Sequence, residues 1–153
     1  MNIFCDTNII LEFLEKRKFS EQVRQILVHS TSQKDSLFIS FGSFYTITYL
    51  VERYLKENEH LGKKERIAQL RYILNGVLDT FKLAGQKSDS IIAAVNDCFF
   101  DDLEDSYQAH IAEDMGCDVL LTINDRHFAK FASASTIEVL TPIEFVAKYA
   151  IKA

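Results

Sequence analysis

Asn2-Ile3-Phe4-Cys5-Asp6-Thr7-Asn8 is the stretch against which the rest of the chain reads. Ile3, Phe4 and Cys5 form a short apolar run with β-branched and aromatic character, the composition of a buried strand. Asp6 follows at once. Beyond Thr7 and Asn8, the apolar residues Ile9, Ile10, Phe13 and Leu14 take helical spacing. A buried strand that ends on a carboxylate and turns straight into a helix sets that carboxylate at the carboxyl edge of a sheet. Open α/β sheets bind their ligands there. Asp, Thr and Asn are also good helix N-caps, so these three residues alone are equally consistent with a plain cap.

The same alternation continues along the chain. Residues 19–29 carry Val23, Ile26 and Leu27 at helical spacing, with Ser20 as a cap. Leu37-Phe38-Ile39-Ser40 reads as a short strand ending on a small polar residue. Residues 41–55 read as a largely buried helix, with Tyr49 and Tyr54 in the core, and the polar residues 56–64 as a turn. Ile67, Leu70, Ile73 and Leu74 continue a helix that Asn75-Gly76 should stop. Residues 77–81 then read as a strand. Residues 88–96 read as a helix with Ile91, Ile92 and Val95 inward, and residues 101–115 as another, ended by Gly116. Asp118-Val119-Leu120-Leu121-Thr122 repeats the style of the first strand. Residues 136–140 form a weaker strand, with Glu138 suggesting an edge. Thr141-Pro142-Ile143-Glu144 opens a helix with Pro in its first turn and capping-box spacing. Short apolar strands alternating with helices predict a parallel sheet covered on both faces, in a single domain spanning residues 1–153.

The composition is that of an ordinary soluble domain: 153 residues, 48% hydrophobic and 25% charged. The net charge of -5 argues against broad, nonspecific coating of DNA. Cys5, Cys98 and Cys117 share no short spacing and read as small buried apolar residues in a reducing compartment. Met1-Asn2 leads into the first strand without a basic leader. No apolar run approaches the ~20 residues of a membrane span. The expected location is the cytoplasm, without a membrane partner.

Two further clusters join Asp6. Asp101-Asp102-Leu103-Glu104-Asp105 opens a helix, with Asp102 and Asp105 on one face. First turns favour acids, and Asp101 with Glu104 has capping-box-like spacing, which accounts for two acids more easily than four. Leu121-Thr122-Ile123-Asn124-Asp125 brings a carboxamide and a carboxylate just past a strand end. Three such acidic positions in a small α/β domain suggest a hard-cation site. Mg²⁺ or Mn²⁺ takes oxygen ligands, often one or two carboxylates completed by water.

Together these residues resemble the PIN domain, the ribonuclease domain of VapC-type toxins. The resemblance rests on Phe4-Cys5-Asp6-Thr7-Asn8-Ile9-Ile10, on Ile39-Ser40 entering a helix, and on Asp102-Leu103-Glu104-Asp105 with Gln108. Cys117–Asn124 with Phe128, and Leu140–Phe145, complete it. It implies a three-layer α/β/α sandwich around a parallel sheet of four or five strands. It also implies a divalent-metal site, Mg²⁺ or Mn²⁺, that hydrolyses RNA phosphodiesters, as in the toxin of a type II toxin–antitoxin pair. By position, Asp6 is the first acid and Asp105 the third, both holding metal, with Asp102 and Glu104 accessory. Asn8 and Thr122 belong to the matching turns. A small antitoxin, placing an Arg or Lys in the acidic groove, and a homodimer are the implied partners.

Two positions depart from the pattern. The usual second acid is Thr46 here, and the fourth is Asn124, with Asp125 beside it. These departures leave open a non-catalytic module that binds RNA or protein. A haloacid dehalogenase-type phosphatase also ends its first strand on Asp, but Asn8 stands where its second acid belongs. With neutral oxygens at two positions, metal affinity should be weak and Mn²⁺ preferred over Mg²⁺. The double change Thr46→Glu with Asn124→Asp should tighten metal binding in titration calorimetry. Unchanged affinity would mean that these positions do not face the site.

Overall fold

A computed structural model describes residues 1–151. Five parallel strands stand in the order β3-β2-β1-β4-β5. They are β1 (Asn2–Cys5), β2 (Ser36–Ser40), β3 (Lys82–Ala84), β4 (Val119–Leu121) and β5 (Glu138–Leu140). The helices between them are α1 (Thr7–Leu14), α2 (Ser20–Gln33), α3 (Phe41–Asn58), α4 (Lys63–Thr80), α5 (Ser88–Val95) and α6 (Leu103–Asp114). A 3-10 turn (Asp125–Phe128), α7 (Ala129–Ala134) and α8 (Pro142–Lys148) complete them.

Strand alternation divides the core between the two faces. Ile3, Cys5, Leu37, Ile39, Val119 and Leu121 point into one core with residues of α1 to α4 and Phe145 of α8. Phe4, Phe38 and Leu120 point into the other, with Ala109, Ile111 and Ala112 of α6 and Phe128 and Phe131 beyond β4. The result is three layers, helix on sheet on helix. β1 sits at the centre, paired in register to β2 (Phe4 to Phe38) and to β4 (Phe4 to Leu120). The chain leaves β1 toward β2 on one side and later returns on the other side as β4. The carboxyl ends of β1 and β4 therefore flank a topological switch point, the usual ligand crevice of such sheets.

Several local expectations need correction. Residues 77–81 are not a strand, and Asn75-Gly76 does not stop α4, which runs to Thr80. Leu70 and Val77 are buried at helical spacing while Gly76 and Leu78 are exposed, so the helix keeps its inward face through the glycine. The real β3, Lys82–Ala84, is an edge strand too short to show an apolar run. On α3 the buried side is Ser43, Ile47, Val51 and Leu55, a strict four-residue row. Tyr49 and Tyr54 are therefore exposed rather than core. That helix also runs to Asn58, which shortens the expected turn. On α5 the inward residue is Ala94, against which Ser106 of α6 donates its hydroxyl to the Ala94 carbonyl at 2.7 Å. Small residues bring α5 and α6 close, and Ile91, Ile92 and Val95 point outward. Cys98 is exposed, unlike Cys5 and Cys117. The Thr141–Glu144 capping box forms as its spacing predicts.

Gly76 lies on an exposed helical surface, and an added Cβ would meet nothing within 4 Å. Gly76→Ala should therefore stabilise the protein by about 0.5–1 kcal/mol through reduced backbone entropy in the unfolded chain. Urea unfolding checks it; a destabilised variant would contradict a continuous α4.

Candidate active site

The site is built at the switch point. Asp6 leaves β1 with its backbone N–H donating to the Leu121 carbonyl at 3.0 Å, which ties it to the end of β4. It occupies the N-cap position of α1, yet its side chain makes no capping hydrogen bond. The carboxylate instead accepts the Thr122 hydroxyl at 3.0 Å. Thr122 is itself fully buried, and its Oγ1 accepts the Asn124 backbone N–H at 3.0 Å. Asp6 is 2% exposed. Burial pushes its carboxyl up from 3.8 to about 6. The Thr122 hydroxyl opposes that rise, and the nearby charges of Asp105 and Glu104 add to it.

Asp105 reaches the crevice from the first turn of α6. It too is buried, and burial raises its carboxyl above the usual carboxylate range, with the Asp102 charge contributing. Its Oδ2 hydrogen-bonds His127 Nδ1 at 2.7 Å, which lowers it again in part. Asp102, not Asp101, caps α6: its side chain accepts the Glu104 backbone N–H at 2.8 Å. Glu104 accepts the Thr7 hydroxyl at 3.2 Å. Behind it runs a buried network. Ser40 donates to Ser43 at 2.9 Å, Ser43 and Thr7 share a 2.7 Å hydrogen bond, and the Gln108 amide donates to both Thr7 and Ser43.

The fold brings Asp6, Asp105, Glu104 and Thr122 to one crevice. Asn8 is half-buried within α1, and Asp125 is exposed at the head of the 3-10 turn. Thr46 is exposed on α3, in a cavity that Glu104 also lines. Asn124 is half-buried next to Thr122. His127 pairs with Asp105 only because the 3-10 turn after β4 carries it there. Ser43 carries no sequence signal, because a lone Ser on a helix is unremarked until the fold buries it against a partner, and Gln108 stands out in the sequence only through the resemblance of its helix.

The PIN domain family matches residues 3–134. The chain belongs to the PIN domain family. It is 27% identical over 152 residues to Ribonuclease VapC1 from Aquifex aeolicus (strain VF5), covering 96% of this chain and 94% of that protein. Its fold is similar to FitAcB from Neisseria gonorrhoeae (TM-score 0.65, 18% identity, 92% of this chain and 98% of that one). VapBC2 from Rickettsia felis, solved with a promoter DNA fragment, aligns with a TM-score of 0.64 at 16% identity, over the same shares. These structures support the three-layer parallel architecture. Among the described residues no helix is long and apolar enough to cross a membrane.

Among the described residues no group of three or more His, Cys, Asp or Glu side chains is arranged to hold a metal ion. Asp6 and Asp105 nonetheless suit a hard divalent cation completed by water: both are oxygen donors, both are buried, and burial raises each above the usual carboxylate range.

The burial of Asp6 has a measurable consequence. An acid whose folded value lies above its unfolded one stabilises the fold while protonated, fully below about pH 4. That contribution is lost as pH rises through about 6. The loss is on the order of 3 kcal/mol at about 1.4 kcal/mol per pH unit. In EDTA, Asp6→Asn should melt above the parent near pH 7 and level with it near pH 4. Equal melting temperatures at both pH values would contradict the electrostatic penalty.

Proposed function

We propose that this chain is a divalent-metal-dependent endoribonuclease, the toxin of a type II toxin–antitoxin pair. The observation that carries this reading is the pair of buried carboxylates, Asp6 and Asp105, from distant parts of the chain at one switch-point crevice, both raised by burial and like charge. The Aquifex relative is a ribonuclease by name, and the fold neighbours are VapBC and FitAcB proteins, which supports the same reading. A bound Mg²⁺ or Mn²⁺ would supply a water of lowered pKa and offset charge on the phosphate.

The chain's own residues do the positioning. Asp6 and Asp105 would hold the cation. Thr122 fixes one oxygen of Asp6, and His127 fixes one oxygen of Asp105. Glu104, restrained by Thr7, and Asp102 add negative charge beside them. The crevice also suits an Arg or Lys from an antitoxin, which would pair with these carboxylates when RNA is absent. Self-association as a homodimer completes the reading.

Thr46 and Asn124 in place of acids favour a second reading, a PIN domain that binds RNA without cutting it. One experiment separates the two. Purified protein with Mn²⁺ should cleave single-stranded RNA, EDTA should stop it, and Asp6→Asn and Asp105→Asn should each reduce the rate at least about a thousandfold, several kcal/mol of transition-state stabilisation. Cleavage that survives both substitutions, or no cleavage at any metal concentration, would defeat the nuclease reading.

A further inference from the structure

A cavity of about 560 Å³ opens beside Glu104, at the carboxyl ends of β2 and β3. The start of α3, the loop after β3, and α6 enclose it. Phe41 and Tyr107 give it aromatic surface, and Thr46, Gln86 and Gln108 give it neutral polar groups. Gln108 is 3% exposed. Its amide nitrogen is committed to Thr7 and Ser43, at 3.1 and 2.9 Å, while its amide oxygen has no hydrogen-bond partner. Gln86, half-buried in the lining of the same cavity, also has a buried amide nitrogen without a partner. Buried amide groups are costly to leave unpaired, so an acceptor and a donor without partners in the wall of one cavity favour a ligand with which both could pair on a small turn of the side chains.

The chemistry of the lining selects that ligand. Apart from Glu104 at its edge, the cavity is neutral. Thr46 stands there in place of the acid usual in the pattern, which removes a charge that would repel RNA phosphates or draw a cation inward. Aromatic faces with amide edges are the means by which proteins hold an unstacked base of single-stranded RNA: the ring stacks, and the amides read its edge. We propose that this cavity is a subsite for one nucleobase of single-stranded RNA, adjoining the phosphodiester held at the acidic centre. This rests on the ribonuclease reading and adds a source of sequence preference to it. Every base carries a neighbouring donor and acceptor on its pairing edge, so the preferred base is what experiment reads out.

The test uses the whole chain in EDTA, titrated with short fluorescein-labelled RNA strands of each base and with the same strands carrying one abasic ribose. Removing the base at one position should weaken binding about tenfold, the effect of one stacked base. Gln86→Leu removes the amide at similar bulk, and Thr46→Trp fills the cavity from its exposed edge. Both variants should bind intact and abasic strands alike, with the affinity that the parent shows for abasic RNA. Circular dichroism would verify that each is folded. Equal binding of intact and abasic RNA by the parent, or discrimination retained by Thr46→Trp, would overturn the subsite. Cleavage is assayed separately with Mn²⁺. Cleavage without base discrimination overturns the subsite and leaves the nuclease standing; base discrimination without cleavage retains the subsite and overturns the nuclease.

Discussion

The parallel pairing of β1 with β4 is the constraint on which the site depends. It brings Cys5 opposite Leu121, so the residues that follow, Asp6 and Thr122, leave the sheet side by side and meet in a 3.0 Å hydrogen bond. Because β1 is the central strand, the chain on either side of it departs in opposite directions, and the space above their ends stays open. α6 then fills one flank of that space with its N-terminal turn, which carries Glu104 and Asp105. The acids are gathered by topology, since none is near Asp6 in sequence.

That gathering works against the fold. A buried carboxylate without a cation is destabilising, and here the charges of Asp105 and Glu104 raise the affinity of Asp6 for protons further. The chain relieves the strain only in part, through the Thr122 hydroxyl and the His127 imidazole. Residues retained at a cost to stability mark functional sites. Here the residual unfavourable charge is of the sign that a metal ion, or the basic side chain of a partner protein, would neutralise.

The polar network behind Glu104 has a direction. Thr7 gives its proton to Glu104, so Ser43 must donate to Thr7, and Ser40 donates to Ser43. Each hydroxyl thus points toward the carboxylate, and hydrogen bonds aligned in series strengthen one another. The network joins the starts of α1 and α3 to the first turns of α6, three elements brought together only by the sheet. It gives Glu104 a fixed place although Thr46 offers no charge nearby.

Much of this was readable in the residues themselves. The apolar run before Asp6, the repeated strand at residues 119–121 and the helical spacing between them determined a parallel sheet with covered faces, because burial on both faces imposes a continuous apolar pattern. Asp6, Asp105 and Thr122 stood out because strand ends and helix starts are marked by local composition. Other features have no local signature. The continuation of α4 through Gly76 depended on which side of the helix met the core, and the outward turn of Ile91, Ile92 and Val95 depended on Ala94 and Ser106 bringing α5 onto α6. The hydrogen bond of His127 to Asp105, and the burial of Ser43 and Gln108, join residues far apart in the chain. Their energies depend on distance and exclusion of water, which arise only when the tertiary structure packs those elements together.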